Sequence, residues 1–239
     1  MLEIKNLYKT YDGSNYALKN INLNVSEGEF VAVIGPSGAG KSTFIRLINR
    51  LVEPSLGEIS LNKERIDNIN SIKLKKVRAK IGMIFQHHNL IEETSVISNV
   101  LHGSLGRTNF LRSATGFYKK EDKEEAEKIL EKVGLLEFKN KKAKTLSGGQ
   151  MQRVGICRAL MQRPSLLLAD EPIASLDISS AKIVMETIKK IDLTTIINLH
   201  QVDFAKQFAT RIIGIKKGEI IFDLKREEIT EKIIGELYG

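Results

Sequence analysis

The sequence is short of several things, and each shortage closes off a class of protein. It has one cysteine, Cys157, in 239 residues, so no disulfide can form within the chain, and that usage suits a reducing compartment. No apolar run approaches the ~20 residues that a membrane-spanning helix requires, so any membrane role is expected to come through a partner. The start, Met1-Leu2-Glu3-Ile4-Lys5, lacks the basic-then-apolar pattern of a secretory leader, and a cytosolic setting is expected. Acidic residues are in deficit too: 29 Asp and Glu against 37 Lys and Arg leave a net charge of +8. That surplus favours anionic partners, whether nucleotide, nucleic acid or an acidic lipid surface, and does not choose among them.

What the chain does have begins with Gly35-Pro36-Ser37-Gly38-Ala39-Gly40-Lys41-Ser42. The last glycine, the lysine and the hydroxyl stand where a phosphate-binding loop needs them. The apolar run Phe30-Val31-Ala32-Val33-Ile34 precedes it and Thr43-Phe44-Ile45-Arg46-Leu47-Ile48 follows, giving strand, glycine loop and helix start in the required order. Glycines let consecutive backbone N–H groups turn inward around an anion, and the helix dipole adds to that field. Lys41 is then expected to reach the β- and γ-phosphates, and Ser42 to hold magnesium through its hydroxyl. A glycine turn that merely matches the pattern is the bland alternative, and the flanks argue against it.

Elsewhere the hydrophobic pattern predicts alternating strands and helices. Residues 2 to 7 and Ile21 to Val25 alternate as half-buried antiparallel strands do, with a polar stretch from Tyr8 to Ser14 between them. Tyr11 in that stretch lies upstream of the phosphate loop, where a ring could stack on adenine or pack locally at a strand end. Glu53 to Gly57 reads as a turn before a short strand, Glu58 to Leu61, and the lysines up to Lys80 read as a solvated helix face. Ile81 to Phe85 is a predicted buried strand that delivers Gln86 at its end. His87 and His88 follow, but sequence neighbours point apart and no further ligand lies near, which argues against a metal site.

From about 88 to 160 the pattern becomes helical, with Glu121 to Val133 and Gly149 to Leu160 as the clearest helices. Within it, Leu101 to Arg112 mixes glycine, basic and aromatic residues without a period and reads as an exposed loop suited to docking. Strands and helices then resume: strand Leu166 to Asp170, helix Ile178 to Ile191, strand Thr195 to Leu199 ending at His200, a helix near Phe204, strands Arg211 to Ile215 and Glu219 to Asp223 around Lys216-Lys217-Gly218, and a helix from about Glu227. Buried parallel strands joined by helices, with antiparallel strands to one side, make an α/β fold.

Asp170 closes a strand and is placed to hold a magnesium shell, while Glu171 is placed to orient or deprotonate an attacking water. His200 could donate to a γ-phosphate as charge develops. Each also has an ordinary reading, since carboxylates gather at helix starts and lone histidines are often structural. Leu146-Ser147-Gly148-Gly149-Gln150 adds a second anion-binding nest at a helix start, one more than a single phosphate loop needs.

Together these stretches resemble the ATP-binding subunit of ABC transporters across essentially all 239 residues. Gly35 to Ser42, with Thr43, resembles the Walker A of that family, Gln86 its Q-loop, and Leu146 to Gln150 its signature. Leu166 to Asp170 resembles its Walker B with Glu171 as catalytic base, Ser175-Leu176-Asp177 its D-loop, and His200 its switch histidine. Tyr11 falls where the family carries its adenine-stacking aromatic. The resemblance implies ATP and Mg2+ as ligands, with Ser42, Gln86 and Asp170 around the metal and Lys41, Glu171 and His200 catalytic. It implies one nucleotide-binding domain over residues 1–239: a RecA-like mixed core, an antiparallel β subdomain and a helical insert. It also implies a head-to-tail homodimer in which Ser147, Gly148, Gly149 and Gln150 of one copy, with Asp177, meet the nucleotide of the other.

A single minimal subunit resembles bacterial importers assembled from separate chains. Two permease subunits, a solute-binding protein and a station at the cytoplasmic face of the membrane are then expected, with no nucleic acid. Two stretches resemble the phosphonate-importer branch: Asn99 to Gly103 with Leu105 to Thr108 and Leu111 to Ser113, and Ala169 to Asp177, which ends in Ala-Ser-Leu-Asp where the commoner order is Ser-Ala-Leu-Asp. Gly155 and Cys157 are less usual choices after the signature. Importers of other solutes, or soluble ABC ATPases of a phosphonate-degrading or nucleic-acid complex, are the alternatives. The stretch from Gln86 to Tyr118, suited to permease contact, argues against the soluble ones.

Overall fold

The structure, a computed structural model, describes residues 1–107 and 118–239. Its centre is a six-stranded sheet, and the sheet exists because several segments are largely apolar and buried at every position. Strands β3 (Phe30–Ile34), β7 (Leu166–Asp170) and β8 (Thr194–Asn198) are buried along their whole lengths. A strand with no polar face is stable only where both faces of the sheet are covered. Two hydrophobic clusters supply that cover, one around Val31, Leu166, Leu168 and Ile196, the other around Ala32, Leu167, Ala169 and Ile197. Each such Leu or Ile stabilises the fold by about 1.5–3 kcal/mol relative to leaving it in water.

With β6 (Ile81–Ile84), β9 (Arg211–Lys216) and β10 (Glu219–Lys225), the strand order is β10-β9-β3-β8-β7-β6. Strands β9, β3, β8, β7 and β6 are parallel, and β10 pairs antiparallel with β9. The carboxyl ends of β3, β8, β7 and β6 therefore share one edge, the edge where open parallel sheets bind ligands. A second, antiparallel sheet contains β1 (Leu2–Thr10), β2 (Tyr16–Val25), β4 (Leu56–Leu61) and β5 (Glu64–Arg65), in the order β2-β1-β4-β5.

Several boundaries differ from the sequence reading. The polar stretch after residue 7 is still strand, and β1 and β2 meet at a hairpin whose tip is Tyr11–Asn15. Asp12 shapes that tip by accepting from the Ser14 and Asn15 backbone N–H groups and from Asn15 Nδ2. Strand β4 starts at Leu56 because Gly57, with φ of 97°, passes so close to β1 that a Cβ there would sit 2.2 Å from the Asn6 carbonyl oxygen. The final helix starts at Glu231, capped by Thr230, after a 3-10 turn at Arg226–Glu228.

The helical portion packs on its own cluster. Helix α3 (Val96–Leu101), α4 (Lys120–Lys132) and α5 (Gly148–Leu160) enclose Val96, Val100, Ala126, Leu130, Val154 and Cys157. The expectation of an exposed loop from Leu101 fails over its first part. His102–Arg107 is a 3-10 helix with Gly103 and Ser104 buried, because Gly103 lies against α5 where a Cβ would meet the Arg158 carbonyl oxygen at 2.0 Å. The rest of that stretch, 108 to 117, falls outside the described residues. Among the described residues no helix is long and apolar enough to cross a membrane.

Candidate nucleotide-binding site

The glycine loop leaves β3 and enters α1 (Lys41–Ile48) at Gly40, whose φ is 106°. No side chain caps α1, whereas Asn70 caps α2 (Ser71–Arg78), and Ser95, Ser147 and Asp177 cap α3, α5 and the helix that starts at Ile178. The first N–H groups of α1 are thus left for an anion. The loop is also pinned so that only glycine fits: a Cβ at Gly35 would lie 2.0 Å from the Ile215 carbonyl oxygen, and one at Gly40 2.5 Å from that of Ala17. Gly38, by contrast, faces open space, and its φ of 75° is what demands glycine.

A cavity of about 280 Å³ opens over this loop, lined by Ser37 to Thr43 with Ala17, Glu171 and His200. Lys41 is buried and donates through Nζ to the carbonyl oxygens of Gly35 and Pro36, both at 2.9 Å. Burial lowers its pKa, and the Glu171 and Asp170 carboxylates pull it back up. Asp170, at the end of β7, accepts from Ser42 Oγ at 2.8 Å and from Asn198 Nδ2 at 2.9 Å, and Arg46 reaches its other oxygen at 3.5 Å.

Glu171 has a left-handed backbone with φ of 51°, a conformation that costs a non-glycine residue about 1 kcal/mol or more. That turn carries its side chain away from Asp170 and onto His200, whose Nε2 donates to Glu171 Oε1 at 2.6 Å. The carboxylate can only accept, so the imidazole is the donor here. Tyr11 is 64% exposed at the hairpin tip, shares a hydrogen bond of 3.3 Å with Thr43 Oγ1, and lies under the Lys9 ammonium at 4.8 Å from the ring centroid.

The other expected residues stand apart from the cavity. Gln86 is exposed just beyond β6, at the same sheet edge as Asp170. Ser147 caps α5 by accepting from the Gln150 backbone N–H, while the Gln150 side chain accepts from the Ser147 N–H. Gly149 packs on helix α6 (Ile178–Lys189), where a Cβ would approach Ser180 to 3.0 Å, and Asp177 caps α6 through the Ser180 N–H. His88 is held by Gln152, donating from Nδ1 to Oε1 at 2.6 Å. Ser147, Gly148, Gly149 and Gln150 thus do not line the cavity over the phosphate loop.

Two participants were absent from the sequence reading, Arg46 and Asn198. Arg46 follows Ser42 by four residues on α1 and so shares its face, a spacing that was available. Asn198 is a lone amide at the end of an apolar strand, fully buried. Its Oδ1 is buried without a hydrogen-bond partner, a condition that costs about 1–3 kcal/mol if it stays dry. Hard oxygens of Ser42 and Asp170 beside an unused carbonyl suit a hydrated Mg2+ held mainly by substrate phosphates. Among the described residues no group of three or more His, Cys, Asp or Glu side chains forms a metal cage.

Comparison with known proteins accounts for the arrangement. The chain is 50% identical over its full length to phosphonates import ATP-binding protein PhnC 2 of Halalkalibacterium halodurans, covering 99% of it. It is 47% identical to phosphonates import ATP-binding protein PhnC of Treponema denticola, over 98% of this chain and 93% of that one. Among solved structures, a dimeric bacterial ABC transporter cassette superposes with a TM-score of 0.84 at 36% identity, over 96% of this chain and all of that one. A dimeric cassette in a post-hydrolysis state with ADP and Pi gives 0.82 at 37%, with the same coverage. The ABC transporter family model matches residues 18–174, the span that runs from the second strand through the phosphate loop, the second nest and the paired carboxylates, and the chain belongs to that family.

Proposed function

We propose that this chain is the ATP-binding and ATP-hydrolysing subunit of an ABC importer for phosphonates or related phosphorus oxyanions. The observation that carries the reading is the convergence of Lys41, Ser42, Glu171 and His200 at one cavity, with Asp170 bonded to Ser42 behind it, in a chain 50% identical end to end to a phosphonate-import ATP-binding protein.

In this reading residues Gly35 to Thr43 cradle the phosphates and Tyr11 receives the adenine. Lys41 exchanges its two carbonyl partners for the β- and γ-phosphates. Ser42, Asp170 and Gln86 would hold Mg2+, which supplies charge neutralisation on those phosphates. Glu171 takes the proton of the attacking water as that water's oxygen bonds to the γ-phosphorus and the bond to the β-phosphate oxygen breaks. His200, now paired with Glu171, turns its N–H to the transferring phosphoryl group as charge develops there. Ser147, Gly148, Gly149 and Gln150, with Asp177, close over the nucleotide of a second copy, so that ATP joins two chains and hydrolysis lets them part. Two permease subunits, fed by a solute-binding protein, hold the pair at the cytoplasmic face of the membrane.

Uptake of a radiolabelled alkylphosphonate into cells, with and without Lys41→Ala, tests the proposal. Uptake should fall to background in the variant. Unchanged uptake, with expression verified, would remove the phosphonate assignment.

A further inference from the structure

Asn198 sits where three elements of the candidate site meet. Strand β8 lies between β3 and β7, with Asn198 opposite Val33 on one side and Asp170 on the other. The Asn198 carbonyl oxygen accepts from the Glu171 backbone N–H at 3.2 Å, which ties down the left-handed residue. Its side-chain Nδ2 donates to Asp170 Oδ1 at 2.9 Å and lies 3.4 Å from Ser42 Oγ. The directions are mutually consistent. Ser42 spends its one proton on Asp170, so its oxygen is free to accept from Asn198. Swapping the amide oxygen and nitrogen would set a carbonyl against a carboxylate, so the network itself fixes the orientation. Both amide protons are then directed at the Ser42–Asp170 pair, and Oδ1, buried and without a partner, is the one acceptor the network leaves unused.

We infer that Asn198 is a positioning residue for the divalent cation of this site. Its side-chain amide N–H groups lock the Ser42 hydroxyl and the Asp170 carboxylate in one orientation, and its side-chain Oδ1 accepts from the cation's hydration shell. The inference rests on the assignment of Ser42 and Asp170 to Mg2+. Partners of this kind, which touch the ligands and not the metal, typically change metal affinity 10- to 100-fold when removed.

The test uses the full chain with ADP, and Mn2+ as a paramagnetic probe read by electron paramagnetic resonance. Asn198→Val and Asn198→Leu should weaken Mn2+ binding to the ADP complex about tenfold or more, while ADP affinity in EDTA stays within twofold of wild type. In steady state, half-saturating Mg2+ should rise by a larger factor than kcat at saturating Mg2+ falls. Wild-type Mn2+ affinity in both variants, alongside a loss in Asp170→Asn, would overturn the inference and leave the metal assignment standing. Wild-type affinity in Asp170→Asn and Ser42→Ala as well would overturn both. Should neither Asn198 variant fold, the side-chain amide resonance of Asn198 in the wild type decides. It shifts when Mg2+ joins the ADP complex if the inference holds, and is unmoved if it does not.

Discussion

Tyr11 is exposed to 64%, yet its ring is held by three things that have nothing to do with a core: the Asp12 hairpin, the Thr43 hydroxyl and the Lys9 ammonium. A large aromatic kept in place at the surface beside a phosphate loop suits the proposed platform for adenine, and in that role its loss should appear in binding and not in stability. Tyr11→Ala is expected to weaken ATP binding by about 1–2 kcal/mol, a factor of roughly 5 to 30, with Tm unchanged. Tyr11→Phe, which keeps the ring, should bind within about twofold of wild type by calorimetry. Equal weakening in both variants would assign the effect to the hydroxyl on Thr43. The same logic of side chain against neighbour explains what the sequence hid at this scale. Glu171 and His200 are far apart in the chain and each is ordinary alone, and only the left-handed turn at Glu171 brings them to 2.6 Å.

Helix α4 shows how one element is clipped to the rest. Glu125 on α4 accepts from Arg163, just past α5, with bonds of 2.9 and 2.7 Å, and from Arg107 at the end of the 3-10 turn. Chiefly through the Arg163 hydrogen bonds, its carboxyl is held down to about 2. A depressed carboxylate stabilises the fold above its unfolded pKa, near 4.3, and that contribution drains away as pH falls toward 2. Arg163 is largely in solvent, so the clip is worth about 1 kcal/mol. Glu125→Gln is therefore expected to lower stability by about that much at pH 7, and the gap to wild type should narrow in denaturant melts as pH drops below about 4 and close near pH 2. A gap that persists undiminished at pH 2 would mean that packing, not charge, holds α4.

Most elements were legible because period and burial coincide in them: β3 and β7 read as strands since all their positions are buried, and α6 read as a helix since its buried Ala181, Val184, Met185 and Ile188 follow helical spacing. The hairpin from Tyr8 to Tyr16 and the packed turn at Gly103 were not, because a polar strand end and a glycine pressed on a distant helix leave no periodic trace. Nor was strand order visible, and it is strand order that sets Asn198 between the phosphate loop and Asp170.

At the scale of the molecule, the second copy in the proposed dimer gives the second nest a role that it does not have at this chain's own cavity. The cavity over the phosphate loop is lined by Glu171 and His200 but not by the signature residues, whose helix start is tied up in its own capping box. Beside that start, Ile178 is 80% exposed next to Asp177, an apolar side chain that a partner face would cover. If ATP joins the copies and Glu171 ends the cycle, Glu171→Gln should accumulate the joined state, since the amide keeps the shape and the acceptor toward His200 but takes no proton. With saturating ATP and Mg2+ the variant should run as a dimer in light scattering, and as a monomer with ADP. Adding Ser147→Asp provides the sharper control. Aspartate caps a helix as well as serine does, so α5 stays folded, while its charge would face the γ-phosphate held by the other copy. The double variant should bind ATP yet remain a monomer. A dimer that survives both the ADP exchange and the added charge would be held by some other face of the chain, and the second nest would then need a different explanation.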